Sequence, residues 1–105
     1  MKTETIAKIL EFTRARDWDQ FHTPENLAKS ISIEAGELLE NFQWNSDFDK
    51  EKVLDELADV MTYGVLMADK LGVEINDIIL RKLEKSEKKY PVDKAKGNSK
   101  KYTEL

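Results

Sequence analysis

Apolar positions recur along this chain at helical spacing in four stretches, separated by short polar or aromatic breaks. The first stretch is Ile6, Ile9, Leu10 and Thr13 within residues 4–16, with Thr3 as the expected N-cap. The pattern stops at Asp17-Trp-Asp-Gln-Phe-His-Thr23, an expected loop rich in aromatic rings. Thr23-Pro24 then opens a second helix: a hydroxyl at the N-cap, proline at the first helical position and Glu25 in the first turn. Its apolar stripe is Leu27, Ile31, Ala35, Leu38 and Phe42, with an expected end near Trp44. Residues 45–49 read as a turn, and a third helix follows from about Lys50 to Leu71, with Gly72 as a left-handed cap. A fourth helix spans roughly Ile75 to Lys89, with Ile75, Ile78, Ile79 and Leu83 facing inward, until Tyr90-Pro91 stops it.

From Leu57 to Leu71 the third helix is apolar nearly all round, and such a helix needs neighbours on every side. About four helices cannot supply them all, so the missing neighbours are expected to be other copies of the chain; the alternative is a helix at the centre of a monomer. The expected architecture is therefore all-α, a four-helix bundle assembled as a homo-oligomer. Residues 1–91 form its helical domain, and residues 92–105 are an irregular basic tail carrying Lys94, Lys96, Lys100 and Lys101. That tail either stays disordered or orders over a ligand or a partner subunit.

Composition narrows the function classes. The 105 residues amount to one small domain, and only two prolines and four glycines interrupt it, which suits long helices. The absence of cysteine excludes disulfides and thiolate metal sites. No apolar run approaches the roughly 18 residues of a membrane span, and the N-terminal stretch does not read as a signal-peptide h-region, so no membrane partner and a cytoplasmic location are expected. A net charge of −4 argues against a nucleic-acid polymer as partner.

The candidate chemistry lies in two acidic doublets, Glu34-Ala-Gly-Glu37 and Glu56-Leu-Ala-Asp59, each set in an apolar helical run. Three residues apart, the two carboxylates of a doublet share one helix face, about 60° apart and roughly 4.5 Å along the axis. A turn over residues 45–49 forces antiparallel packing of its flanking helices, and both doublets then sit roughly 13–14 Å from it. One cluster of four carboxylates is the expectation. Such a cluster is costly to desolvate, and a hard cation such as Mg²⁺, or alternatively Mn²⁺, relieves it through oxygen ligands. Di-iron carboxylate chemistry is excluded, because it needs Glu-x-x-His pairs and the single histidine, His22, sits in a loop. Zinc hydrolase chemistry fails for the same want of imidazole and thiolate ligands.

The aromatic residues suggest what a cation there would carry. Trp18, Phe21 and His22 beside such a site could stack on a nucleobase, with Trp44 a further ring, or Trp18 and Phe21 could fold back onto the core. Tyr63 lies four residues after Asp59 on the same face, within reach of a ligand held by the metal. Lys82, Lys85, Lys88 and Lys89 could neutralise phosphates or simply face water.

Three segments together resemble one family. They are Arg14-Ala-Arg-Asp-Trp-Asp-Gln-Phe-His-Thr-Pro-Glu-Asn-Leu27, Glu34-Ala-Gly-Glu-Leu-Leu-Glu-Asn-Phe-Gln-Trp44 and Glu56-Leu-Ala-Asp-Val-Met-Thr-Tyr63. They are similar to the MazG-like nucleoside triphosphate pyrophosphohydrolases, and most to the dCTP pyrophosphatase branch. The likeness continues through Lys89-Tyr-Pro91, Lys96-Gly97 and Lys101-Tyr-Thr-Glu-Leu105. It implies an all-α homodimer or homotetramer and Mg²⁺-dependent hydrolysis of a nucleoside triphosphate to the monophosphate and pyrophosphate. By the same resemblance, Glu34, Glu37, Glu56 and Asp59 match the metal-binding catalytic carboxylates. Trp18, His22, Trp44 and Tyr63 match positions lining the nucleotide pocket, and Lys82 matches a basic position on the last helix. Ser86 and Glu87 depart from the pattern, since relatives commonly have asparagine before the basic end of that helix. The favoured substrate is dCTP or a related pyrimidine nucleotide. The alternatives are dUTP, modified or mixed triphosphates, or a non-catalytic helical module whose cation stabilises the assembly.

Overall fold

The computed structural model describes residues 1–44 and 46–105, and among these every regular element is helical. The elements are α1 (Thr3–Ala15), a single 3-10 turn (Asp19–Phe21), α2 (Pro24–Glu40), α3 (Lys50–Lys70), α4 (Ile75–Lys89), the one-turn α5 (Val92–Ala95) and a last 3-10 turn (Tyr102–Glu104). No helix among the described residues is long and apolar enough to cross a membrane. The chain divides into two compact units, Met1–Ile75 and Asn76–Leu105.

Local chemistry sets most boundaries. The Thr23 hydroxyl accepts from the backbone N–H of Asn26 at 3.2 Å and Pro24 takes the first position of α2, as the sequence leads one to expect. The Asp49 carboxylate accepts from the N–H of Glu51 at 3.0 Å and so opens α3. Gly72, at φ 71°, closes it with the paired bonds Gly72 N–H to the Asp69 carbonyl and Val73 N–H to the Ala68 carbonyl. The same motif ends α1, but with Asp17 in the left-handed position at φ 55°. Asp17 tolerates it because both its carbonyl and its carboxylate accept from the Gln20 amide, at 2.9 and 3.0 Å.

Three expectations shift. The cap residue of α1 is Lys2 and makes no side-chain bond, so Thr3 falls inside the helix rather than capping it. α2 ends at Glu40, four residues before Trp44. Phe42 and Gln43 bond back to Leu39 and Glu40 in tightened turns, and the Asn41 side-chain amide donates to the Glu37 carbonyl at 3.1 Å. The turn expected at 45–49 begins with Asn45, which lies outside the described residues.

In the first unit α2 packs chiefly on α3, with α1 lying more lightly on α3. Leu27 of α2 and Val65, Leu66 and Ala68 of α3 are its buried apolar side chains. Thr13 is buried beside them, and its hydroxyl is satisfied by donating to the Leu10 carbonyl at 3.1 Å. Ion pairs from Arg14 to Asp69 (3.6 Å) and from Lys70 to Asp19 (3.0 Å) tie α1 and the aromatic loop to the end of α3. The other half of α3 is open: Leu57 and Met61 are exposed, as are Ile33 and Leu39 on α2.

In the second unit the basic tail folds back along its own chain. Gly97, at φ 75°, reverses the backbone, and the Tyr102 ring meets Tyr90 edge-on at 6.0 Å with the Lys89 ammonium 4.7 Å above its face. Tyr102 of the tail thus rests against the C-terminal end of α4. Of the apolar residues expected on the inner face of α4, Ile75 and Ile78 are half-buried while Ile79 and Leu83 stay exposed.

Because Leu27 is wholly buried, Leu27→Ala should cost roughly 2–5 kcal/mol. Lys29→Ala removes only an exposed pair with Glu25 and should cost at most about 0.5 kcal/mol. Urea unfolding of the two variants at equal protein concentration checks the contrast.

Candidate metal centre

The α2–α3 hairpin brings the two acidic doublets together. Carboxylate oxygens of Glu34, Glu56 and Asp59 all lie within 4.8 Å of one another. Glu37 is not part of that set, but it stands close enough to act on both Glu34 and Glu56. One doublet faces the other across the hairpin, as their equal distance from the turn implies. The fourth carboxylate sits at the edge of the trio rather than within it.

The electrostatics of this cluster are unfavourable in the bare protein. Glu34 Oε2 and Glu56 Oε2 are both shut off from solvent, and neither has a hydrogen-bond partner among the described residues. Burial, first of all, pushes the Glu34 carboxyl up from its ordinary 4.5 to about 7. The neighbouring Glu37 carboxylate adds to the rise, as do the charges of Asp59 and Glu56. Glu56 is raised too, again by burial first and then by Glu37. A hard cation fits this donor set: oxygen ligands alone, three at close quarters, with two buried lone-pair oxygens unsatisfied. Glu37 and Glu56 also line an open polar hollow of about 440 Å³ with Glu40, Asn41, Lys52 and Asp55. The doublets alone did not indicate this hollow, although Lys52 lies four residues before Glu56 and so on its face of α3.

The aromatic residues are only partly gathered. The rings of His22 and Tyr63 meet edge-on at 6.4 Å, joining the loop after α1 to the face of α3 that carries Asp59. Trp18 stands edge-on to Phe12 at 5.6 Å, and the Arg16 guanidinium lies over the Phe12 ring, 3.8 Å from its centroid. Trp18 and Phe21 nevertheless remain exposed, so neither is absorbed into the core. Trp44 follows α2 and is 87% exposed, a large ring with almost nothing against it in the single chain. Lys82 belongs to the second unit, where it borders a shallow apolar hollow with Ile78, Ile79 and Leu83.

Known proteins resemble this chain in sequence and fold. The family model described as MazG-like matches residues 29–105. The chain is 38% identical to dCTP pyrophosphatase 1 of Mus musculus and 37% identical to that of Homo sapiens, over 90% of this chain. It spans 62% of the length of those relatives. Its fold is similar to the crystal structure of a pyrophosphatase from Archaeoglobus fulgidus, with a TM-score of 0.74 and 41% identity. That match covers 84% of this chain and 90% of the other.

The raised Glu34 carboxyl sets a pH signature for the metal-free protein. Ionising Glu34 opposes folding, so its contribution is most favourable below about 4.5 and is lost as pH rises to about 7. Without divalent cation, Glu34→Gln should therefore raise the melting temperature at pH 8 and lose that advantage at pH 5. Mg²⁺ at pH 8 should stabilise the parent chain more than the variant. Thermal unfolding at the two pH values, with and without Mg²⁺, gives the comparison, and a variant less stable than the parent at pH 8 without metal would contradict it.

Proposed function

The chain belongs to the MazG-like family, and from that premise we propose that it is a Mg²⁺-dependent nucleoside triphosphate pyrophosphohydrolase, acting on dCTP or a closely related pyrimidine nucleotide. The observation that carries this reading is the trio of Glu34, Glu56 and Asp59 oxygens within 4.8 Å, two of those glutamates each holding a buried carboxylate oxygen without a partner. Oxygen-only donors of this kind suit an ion that binds phosphoryl oxygens and offsets the charge developing on them.

In this proposal Glu34, Glu37, Glu56 and Asp59 hold the cation. Whichever of these carboxylates keeps an oxygen free of it orients the attacking water and accepts its proton. Water adds across the anhydride bond between the α- and β-phosphates. One P–O bond forms to the water oxygen as the bridging P–O bond breaks, giving the nucleoside monophosphate and pyrophosphate. Trp18, His22, Trp44 and Tyr63 hold the nucleoside. Indole and imidazole rings stack on a base and hydrogen-bond its polar edge, and the His22–Tyr63 contact supports this role on the face of α3 that bears Asp59.

The assembly proposed is a homodimer or homotetramer. Its support is the imbalance between the few buried apolar side chains of the first unit and the exposed ones on α2 and α3, among them Ile33, Leu39, Leu57 and Met61. A second copy of the chain is the natural cover for such faces, and it would also enclose the exposed Trp44.

With Mg²⁺, pyrophosphate release should be fastest from dCTP across a panel of canonical and modified triphosphates, and should cease in EDTA. Glu37→Gln and Asp59→Asn should each lower the rate roughly a hundredfold or more; unchanged rates would remove these residues from the site. Leu39→Asp, at a side chain 70% exposed in the single chain, should shift the mass measured by light scattering toward the monomer.

A further inference from the structure

The hollow beside the carboxylates has a feature that metal binding does not use. Lys52 is the one basic residue on its wall, facing Glu37, Glu40, Asp55 and Glu56 across a space of about 440 Å³. Among the described residues its ammonium makes no ion pair, even with four carboxylates lining the same space. A base held this near to acids without closing on any of them is available to an anionic ligand.

Register on α3 shows where that ligand would lie. Lys52, Glu56, Asp59 and Tyr63 are spaced at four, three and four residues, which keeps all four within about 60° of one face. Lys52 lies roughly 8 Å along the axis to one side of the Glu56–Asp59 midpoint, and Tyr63 roughly 8 Å to the other. The two ends of this stripe differ in chemistry. At Tyr63 the His22 ring is in contact, a surface suited to a base or sugar. At Lys52 the wall carries no aromatic residue, only carboxylates, one amide and one ammonium, so it offers nothing for a ring to stack on.

We propose that Lys52 binds the terminal phosphates of the triphosphate and, after cleavage, the pyrophosphate, which leaves through this hollow. The substrate then lies along α3 with its nucleoside at Tyr63 and His22, its α-phosphate over the carboxylates and its pyrophosphate half toward Lys52. The surrounding acids give the arrangement a second consequence. Without a cation they repel an anion from the hollow, and Lys52 alone cannot outweigh four negative neighbours, so the phosphates enter only with their metal.

This assignment rests on the reaction proposed above, and equilibrium binding separates the two. Calorimetry would follow inorganic pyrophosphate and, separately, dCMP, each in Mg²⁺, binding to the parent chain, Lys52→Ala, Lys52→Arg and the surface control Lys29→Ala. Lys52 is exposed, so its substitution leaves the packing of α3 intact. Lys52→Ala should weaken pyrophosphate roughly tenfold while dCMP changes less than about twofold. Lys52→Arg should recover most of the loss, and Lys29→Ala should behave as the parent. In turnover, Lys52→Ala should raise KM for the triphosphate more than it lowers kcat. Pyrophosphate binding that is absent in the parent, unchanged in Lys52→Ala, or weakened no more than dCMP would overturn the assignment. A parent chain that hydrolyses no triphosphate, yet loses pyrophosphate affinity on Lys52→Ala, would refute the reaction and leave the anion site standing.

Discussion

Mutual repulsion among the carboxylates of the α2–α3 hairpin is the constraint from which the rest of this protein follows. Glu34, Glu56 and Asp59 are brought within 4.8 Å, with one oxygen on each glutamate cut off from water. Desolvation first, and Coulomb repulsion after it, work against that arrangement, and the raised Glu34 carboxyl is the expression of both. The hairpin keeps the cluster because packing elsewhere is secure: Leu27 on α2 and Val65, Leu66 and Ala68 on α3 are buried in the same unit. The apolar contacts hold the two helices in register, and the register holds the charges together. A fold that stores unfavourable electrostatics in this way is prepared for a cation, since ion binding relieves a cost already present in the empty site.

The aromatic loop between α1 and α2 is subordinate to that hairpin but firmly attached to it. Asp17 turns the chain in a left-handed conformation, Asp19 pairs with Lys70, and the Asn26 side chain donates to the Phe21 carbonyl. These polar ties bring His22 to Tyr63, four residues past Asp59. The loop therefore needs no buried ring to be placed, which leaves Trp18 and Phe21 exposed and available to a ligand or a second copy of the chain.

Much of this was legible along the chain. Thr23-Pro24 and Gly72 mark their helix ends because capping and left-handed backbone are local demands, met by residues within a few positions. The doublets could be matched across the hairpin because helical rise is constant. Other features were not legible for equally physical reasons. The end of α2 at Glu40 depends on tightened turns and an Asn41 side-chain bond that compete with a helical pattern running on to Phe42. The return of the tail to the end of α4 depends on Tyr102 meeting Tyr90 and Lys89, a contact across a dozen residues that periodicity does not register.

By itself the sequence determined the helices, the pairing of the two acidic doublets on one hairpin and the hard-cation character of their donors, because each depends only on helical periodicity and side-chain chemistry. Tertiary structure alone decided how the four carboxylates divide into a close trio with Glu37 at its edge, which oxygens lose their water, and that Lys52 shares a hollow with Glu37 and Glu56 without pairing. Those outcomes depend on how two helices approach and rotate against each other. A displacement of an ångström or two there changes both the Coulomb energy and the access of water, and no spacing along a single helix carries that information.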